Sequence, residues 1–171
     1  RFEVRIEASG SVDGEGFEGF SANGIDRVEF YFSANPGEEP KPLVRVASGG
    51  EASRLMLILK TTAGDASAGT TAVFDEIDAG IGGRVAEAVG MKLKALSHGQ
   101  QVLCVTHQPQ VASKADKHLL IEKSTRKGRT VIEVRDLVKA ERVEEIARML
   151  AGERITDAAR ENAREMIAGA R

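Results

Sequence analysis

Residues able to work on a phosphate group fall in three short stretches of this chain. Ser48-Gly49-Gly50-Glu51 stands directly before an apolar helical run, Asp75-Glu76 closes the apolar run Ala72-Val73-Phe74, and His107 follows Val105-Thr106. Paired glycines at a helix start leave backbone N–H groups and the positive end of the helix dipole open to an anion. Ser48-x-x-Glu51 also has the form of a capping box, in which both side chains satisfy orphan backbone donors, and the two roles are compatible. An acidic pair at the carboxyl end of a strand can divide its labour. Asp75 suits a magnesium shell that keeps several waters, and Glu76 suits a general base for the attacking water. His107, ending a neighbouring strand, is expected at the same sheet edge, where it would hydrogen-bond a γ-phosphate or the water. Asp78 opens the flexible turn Asp78-Ala79-Gly80-Ile81-Gly82-Gly83 and is a candidate bridge to a second subunit across a nucleotide. One part is missing: a phosphate-cradling G-x-x-x-x-G-K-[ST] loop, since no glycine here is followed by lysine. The set reads as an incomplete phosphoryl-transfer centre.

These residues need strands and helices to bring them to one edge. Phe2 to Ala8 and Val28 to Phe32 alternate apolar with charged side chains and read as strands of a half-covered sheet. The proline-rich stretch Pro36 to Pro42 reads as an extended connector into the Ser-Gly-Gly turn. Glu51 to Lys60 reads as a deeply buried helix, with Ala52, Leu55, Met56 and Leu59 on one face and Leu57 and Ile58 widening it. A strand over Thr70 to Phe74, a helix carrying Val85, Val89, Leu93 and Leu96, and a strand over Gln101 to Thr106 make a β-α-β unit. Beyond it come a short helix from Pro109 through Ala115, a hairpin pairing Leu119-Leu120-Ile121 with Thr130 to Val134 around Arg126-Lys127-Gly128, and two amphipathic helices. The first of these carries Val143, Ile146, Ala147 and Leu150; the second is capped by Asp157 and ends near Gly169. The alternation implies a largely parallel α/β sheet with flanking helices and an antiparallel edge.

Composition narrows the field. At 171 residues with 42% hydrophobic side chains, the chain suits one core, since domains commonly run to about 100–150 residues. A net charge of -2 from 24 basic and 26 acidic residues excludes a whole-chain pull on nucleic acid or anionic lipid, so any DNA contact is local. The single Cys104 sits in an apolar run and allows no disulfide within the chain, which fits a reducing cytoplasm. The opening residues do not read as a signal peptide, and no apolar run approaches the ~20 residues of a membrane helix, so a soluble protein without membrane contact is expected. Gly14-Glu15-Gly16-Phe17-Glu18-Gly19 matches G-x-G-x-x-G, but its two glutamates would repel a pyrophosphate and no helical pattern follows; it reads as a hairpin loop. Lys123, Arg126, Lys127 and Arg129 read as a solvated hairpin tip rather than a DNA contact. His98 and His118 form no metal-ligand pair with His107.

Taken together, the three stretches resemble the ATP-binding-cassette ATPases: Ser48 to Glu51 correspond to the signature motif, Asp75-Glu76 to the Walker B acid pair and His107 to the switch histidine. Four longer segments are similar to the SMC-like RecN family of bacterial DNA-repair proteins. They are Ser33-Ala34-Asn35-Pro36-Gly37-Glu38, Val46 to Arg54, Phe74 to Gly83, and Val105-Thr106-His107-Gln108-Pro109-Gln110-Val111-Ala112. Ala52 departs from the leucine usual there. The resemblance implies that residues 1–171 form the C-terminal lobe of an ABC/SMC-type P-loop ATPase head. The Walker A half and a coiled coil would lie elsewhere in the protein, and the lobe alone would be inactive. It further implies ATP and Mg as cofactors, with Ser48, Gly49, Gly50 and Glu51 closing over ATP held by a second head. The N-terminal Walker A half, a second head in a homodimer, and DNA are the implied partners, and double-strand-break repair and recombination at the bacterial nucleoid the implied process. Two alternatives are the nucleotide-binding subunit of a transporter and a non-hydrolysing nucleotide-gated DNA clamp.

Overall fold

The computed structural model of this chain describes residues 1–8, 22, 24–33, 35–46, 48–62, 69–126 and 128–169. They fall into two compact units, Arg1–Ser48 and Gly49–Arg171.

In the first unit β1 (Phe2–Ala8) pairs antiparallel with β2 (Asp26–Phe32), in register from Phe2↔Phe32 to Ala8↔Asp26. The alternating pattern puts Phe2 and Phe30 on one face, stacked with ring centroids 5.6 Å apart, while Arg5 lies over the Tyr31 ring, 3.8 Å from its centroid. The stretch expected to be a plain connector contributes an element. After a turn at Asn35-Pro36-Gly37-Glu38, with Gly37 at φ 88, Lys41–Pro42 forms β3 against the end of β2. A proline is tolerated there because an edge strand can spare the N–H that proline lacks. A single helical turn, α1 (Leu43–Val46), follows. The G-x-G-x-x-G match lies outside the described residues.

The second unit holds α2 (Gly49–Thr62), β4 (Thr71–Phe74), α3 (Gly83–Leu96), β5 (Gln101–Cys104), α4 (Pro109–Ala112), β6 (Leu119–Arg126), β7 (Arg129–Asp136), α5 (Lys139–Ala151) and α6 (Asp157–Ala168). β4 and β5 are parallel, in register from Thr71↔Gln101 to Phe74↔Cys104, with α3 as the crossover, so the expected β-α-β unit is present. β6 and β7 form the expected antiparallel hairpin, closing at Arg126↔Arg129. The class is α/β with parallel and antiparallel pairing. Among the described residues, however, the antiparallel strands make sheets of their own rather than the edge of one largely parallel sheet.

One core lies between β4, β5, α2, α3 and α4, and gathers Leu57, Phe74, Ile77, Ala86, Val89, Leu93 and Val111. Gly90 lets α3 close on α4: a Cβ there would stand 3.0 Å from the Gln110 carbonyl oxygen. A second core joins Ala112 to Ile146, Ala147 and Ala163 across α5 and α6. α3 buries Val89 and Leu93 as expected and packs Leu96 on the core, with Ala86 and Gly90 beside them, but Val85 is exposed. In α2, Leu55 and Leu57 are buried but Met56, Ile58 and Leu59 are exposed. The α2 residues spaced three and four apart from Gly50 include Ser53 and Arg54, whose polar atoms bind backbone inside the unit, so apolar content alone misjudged that face. α4 ends before Ala115, and the carbonyls of Ala112, Ser113 and Ala115 accept from Arg142 Nη2 at 3.3, 2.8 and 2.5 Å. Thr156 rather than Asp157 caps α6, accepting from the Ala159 amide at 3.2 Å. No helix among the described residues is long and apolar enough to cross a membrane.

Candidate functional site

Parallel, in-register strands bring their carboxyl ends to one rim, where open α/β sheets collect ligands. The Val105 amide donates to the Phe74 carbonyl at 2.9 Å, carrying the pairing of β4 and β5 one residue further. Asp75 and Glu76 therefore leave β4 beside the point where Thr106 and His107 leave β5. Both acidic side chains are exposed, and Asp75 Oδ1 accepts from the Glu76 amide at 2.9 Å. Glu76 has φ 56, the left-handed region that a non-glycine residue avoids. Such a conformation costs on the order of 1–3 kcal/mol and persists only where its surroundings over-determine it.

The surroundings are the first turns of α2. Ser53 Oγ donates to the Asp75 carbonyl at 2.8 Å, and Arg54 Nη1 donates to the carbonyls of Ile77 and Ala79 at 3.1 and 2.9 Å. The Glu76 carbonyl accepts from the Ala79 amide at 2.9 Å. Gly50 makes this docking possible: a Cβ on it would lie 2.8 Å from the Glu76 carbonyl oxygen and 3.0 Å from both Ala79 Cβ and Arg54 Nη1. A Cβ on Gly49 would run into the Glu76 carboxylate. The glycines read as room for an anion thus also make room for the acidic loop of their own chain. Glu76 rests beside the first turn of α2, where a helix dipole favours negative charge. Glu51 lies in that turn, half-buried, and Ser48 is exposed immediately before it.

Asp78 behaves differently from the pair before it. Its carboxylate is buried, and Oδ2 accepts from Thr106 Oγ1 at 2.5 Å and the His107 amide at 2.9 Å, with His107 Nδ1 at 3.1 Å. Burial opposes its charge, but the hydrogen bonds from Thr106 and His107 and the proximity of the imidazole outweigh it and hold the carboxyl below its ordinary value. The group that the sequence offered for an intersubunit bridge is turned inward. Thr106 Oγ1 also accepts from the Gln108 amide at 3.0 Å. Gln108 Nε2 donates to the Ile81 carbonyl at 3.2 Å and lies 3.4 Å from His107 Nε2. The His107 side chain is 74% exposed.

The loop after β4 is thus held by α2 on one side and by the end of β5 on the other. Ser53, Arg54, Thr106 and Gln108 do the holding, and the sequence reading missed all four. Their only signal was position: polar residues at helical spacing from Gly50, and polar residues flanking the histidine. Burial first, and then the charges of Asp78 and Asp75, push the Cys104 thiol up to about 12, so it stays protonated and takes no part as a thiolate. No group of three or more His, Cys, Asp or Glu side chains converges as a metal cage among the described residues. The donor set suits a hard cation held by one carboxylate with waters and ligand oxygens making up the shell. At the basic hairpin, Arg126 pairs with Glu133 at 2.7 Å; Lys127 is outside the described residues.

No protein-family model matches the chain. It is 50% identical over 143 residues to the DNA repair protein RecN of Halalkalibacterium halodurans, an alignment covering 84% of this chain and 25% of that protein. Against the RecN of Bacillus subtilis the identity is 46% over 143 residues with the same coverage, and against that of Mycobacterium leprae 44% over 150 residues, covering 88% and 25%. The chain spans about a quarter of the length of these curated relatives. Among solved structures, a chain from work on ATP-driven dimerization and DNA-stimulated activation of SMC ATPases aligns at 18% identity, covering 88% of this chain and 84% of that one, with a TM-score of 0.47.

Proposed function

This chain belongs to the RecN family, matching a C-terminal segment of it, and we propose that it is the C-terminal lobe of an ATPase head that acts in DNA double-strand-break repair. In this reading a second segment of the same protein supplies the Walker A loop, and two such heads enclose ATP between them. Ser48, Gly49, Gly50 and Glu51 close on the nucleotide held by the partner head. Asp75, Glu76 and His107 act on the nucleotide of their own head. DNA is the outer partner, and the setting is the bacterial cytoplasm.

One observation carries the reading: the in-register ends of β4 and β5 bring the acid pair and the histidine to a single rim, with the signature glycines packed on the acidic loop. Magnesium, held by Asp75 directly or through water, would neutralise phosphate charge. Glu76, exposed on a constrained backbone, would take the proton of the attacking water. His107 would hydrogen-bond the γ-phosphate or that water.

The test is Glu76→Gln in the complete protein. Turnover should fall about 10²–10⁴-fold, the usual worth of a general base, while sizing shows ATP-bound head dimers accumulating. Unchanged turnover removes Glu76 as the base. The 171-residue chain alone should show no ATP hydrolysis, and clear turnover by it contradicts the division of labour between lobes.

A further inference from the structure

Asp78 is a buried carboxylate whose Oδ2 is held by the two residues that follow Val105. The Thr106 hydroxyl and the His107 amide fix where Oδ2 sits, and the imidazole is left with Nδ1 at 3.1 Å from it. A ring nitrogen 3.1 Å from a carboxylate oxygen is favoured to carry hydrogen, because a bare Nδ1 would set its lone pair close to negative charge. The hydrogen on Nδ1 also decides what the other nitrogen can do. The loop bearing Asp78 is itself held on both sides, since Arg54 takes the carbonyls of Ile77 and Ala79 that flank it. The side chain is 74% exposed, and its Nε2 lies 3.4 Å from Gln108 Nε2.

We infer that Asp78 is the positioning residue for His107: it keeps a proton on Nδ1 and leaves Nε2 as the working atom, which accepts from the attacking water in the neutral ring and donates to a phosphoryl oxygen only in the imidazolium. What Nε2 meets rests on the nucleotide reading above; the state of the ring rests on the Asp78 geometry alone. Both the neutral Nδ1–H ring and the imidazolium satisfy Asp78. The excluded form is the Nε2–H tautomer with a bare Nδ1. A carboxylate behind a working imidazole acts in this way elsewhere, and its loss there is costly through the wrong tautomer.

The measurement is a long-range proton–nitrogen correlation on the ¹⁵N-histidine-labelled 171-residue chain, which separates the two tautomers. His107 is expected with Nδ1 protonated, and Asp78→Asn should move it towards the Nε2–H form. In the complete protein Asp78→Asn should lower kcat roughly 10²-fold or more, with KM for ATP changed by less than about twofold. Thr106→Val removes a donor to Asp78 but leaves the ring contact; it should lower stability while Nδ1 stays protonated, which separates holding the loop from setting the ring. A wild-type His107 in the Nε2–H form overturns the inference, even if no variant folds. So does an Asp78→Asn protein with unaltered ring nitrogens and kcat. A protonated Nδ1 in a complete protein that never turns over ATP upholds the hold of Asp78 on the ring and sinks the nucleotide reading instead.

Discussion

The rim at the ends of β4 and β5 and the corner where α4 meets α5 and α6 belong to the same unit, yet polar contacts dominate the first, whereas the second adds an apolar core to the Arg142 bonds on the α4 carbonyls. At the rim, backbone carbonyls of Asp75, Ile77 and Ala79 are taken by Ser53 and Arg54, and a buried carboxylate is taken by Thr106 and His107. Small residues there serve close approach. At the corner, Ile146, Ala147 and Ala163 are wholly buried among Val143, Leu150, Met166 and Ile167. Hydrogen bonds fix direction and distance, whereas apolar packing fixes volume. In the proposed reading, the region that aims carboxylates and an imidazole relies on the first, and the corner relies mainly on the second.

Breaking the corner should therefore cost stability and leave the aim of the rim intact. Ile146→Ala removes a fully buried side chain and should destabilise by about 2–5 kcal/mol, the range for such truncations. Denaturant unfolding measures the loss, and the His107 ring signals of the folded fraction should not move. If they shift, the two regions are coupled and the contrast fails.

Gly49 and Gly50 sharpen the contrast from the other side. A Cβ on Gly50 meets a backbone oxygen 2.8 Å away, which cannot step aside alone, so Gly50→Ala should destabilise by about 1–3 kcal/mol as overpacking does. A Cβ on Gly49 meets only the free end of the Glu76 side chain, which can swing away. Gly49→Ala should cost less than about 1 kcal/mol, the range of substitutions that neighbours absorb by repacking, yet lower turnover of the complete protein by moving the carboxylate. Equal stability losses for the two would show that the loop, and not the side chain, answers to Gly49.

The same division explains what the sequence revealed. Period and apolar runs were enough to find β4, α3, β5, the hairpin and both closing helices, because alternation and helical spacing mark regular elements whether or not their apolar side chains are covered. The convergence of Asp75, Glu76 and His107 followed from strand order. The inward turn of Asp78 did not, since an acidic residue in a glycine-rich loop reads as solvated, and only the positions of Thr106 and His107 make its burial affordable. Arg54 and the true inner face of α2 escaped for the same reason: their partners are backbone carbonyls, which no side-chain pattern advertises. The strand at Lys41–Pro42 was hidden by its proline, which is acceptable only at an edge.

The smallest expected effect belongs to a polar irregularity near the corner. His118 Nδ1 is buried there with no hydrogen-bond partner among the described residues. Burial, and next the positive Arg142, push the His118 pKa below its ordinary 6.5, with Glu145 opposing. The folded chain thus refuses a proton that the unfolded chain accepts. Above pH 6.5 this group contributes no slope; as pH falls from 6.5 towards the depressed folded value, stability declines. The carboxylates whose folded values are lowered, Glu29, Asp78, Asp116 and Glu141, lose their contribution only in a more acid window, below their ordinary values of 3.8 to 4.5. Unfolding midpoints measured at pH 7.5 and about 5.5 should therefore differ in the wild type, and His118→Gln should narrow the difference. An identical decline in the variant would move the pH dependence away from the corner and leave that region purely a matter of volume.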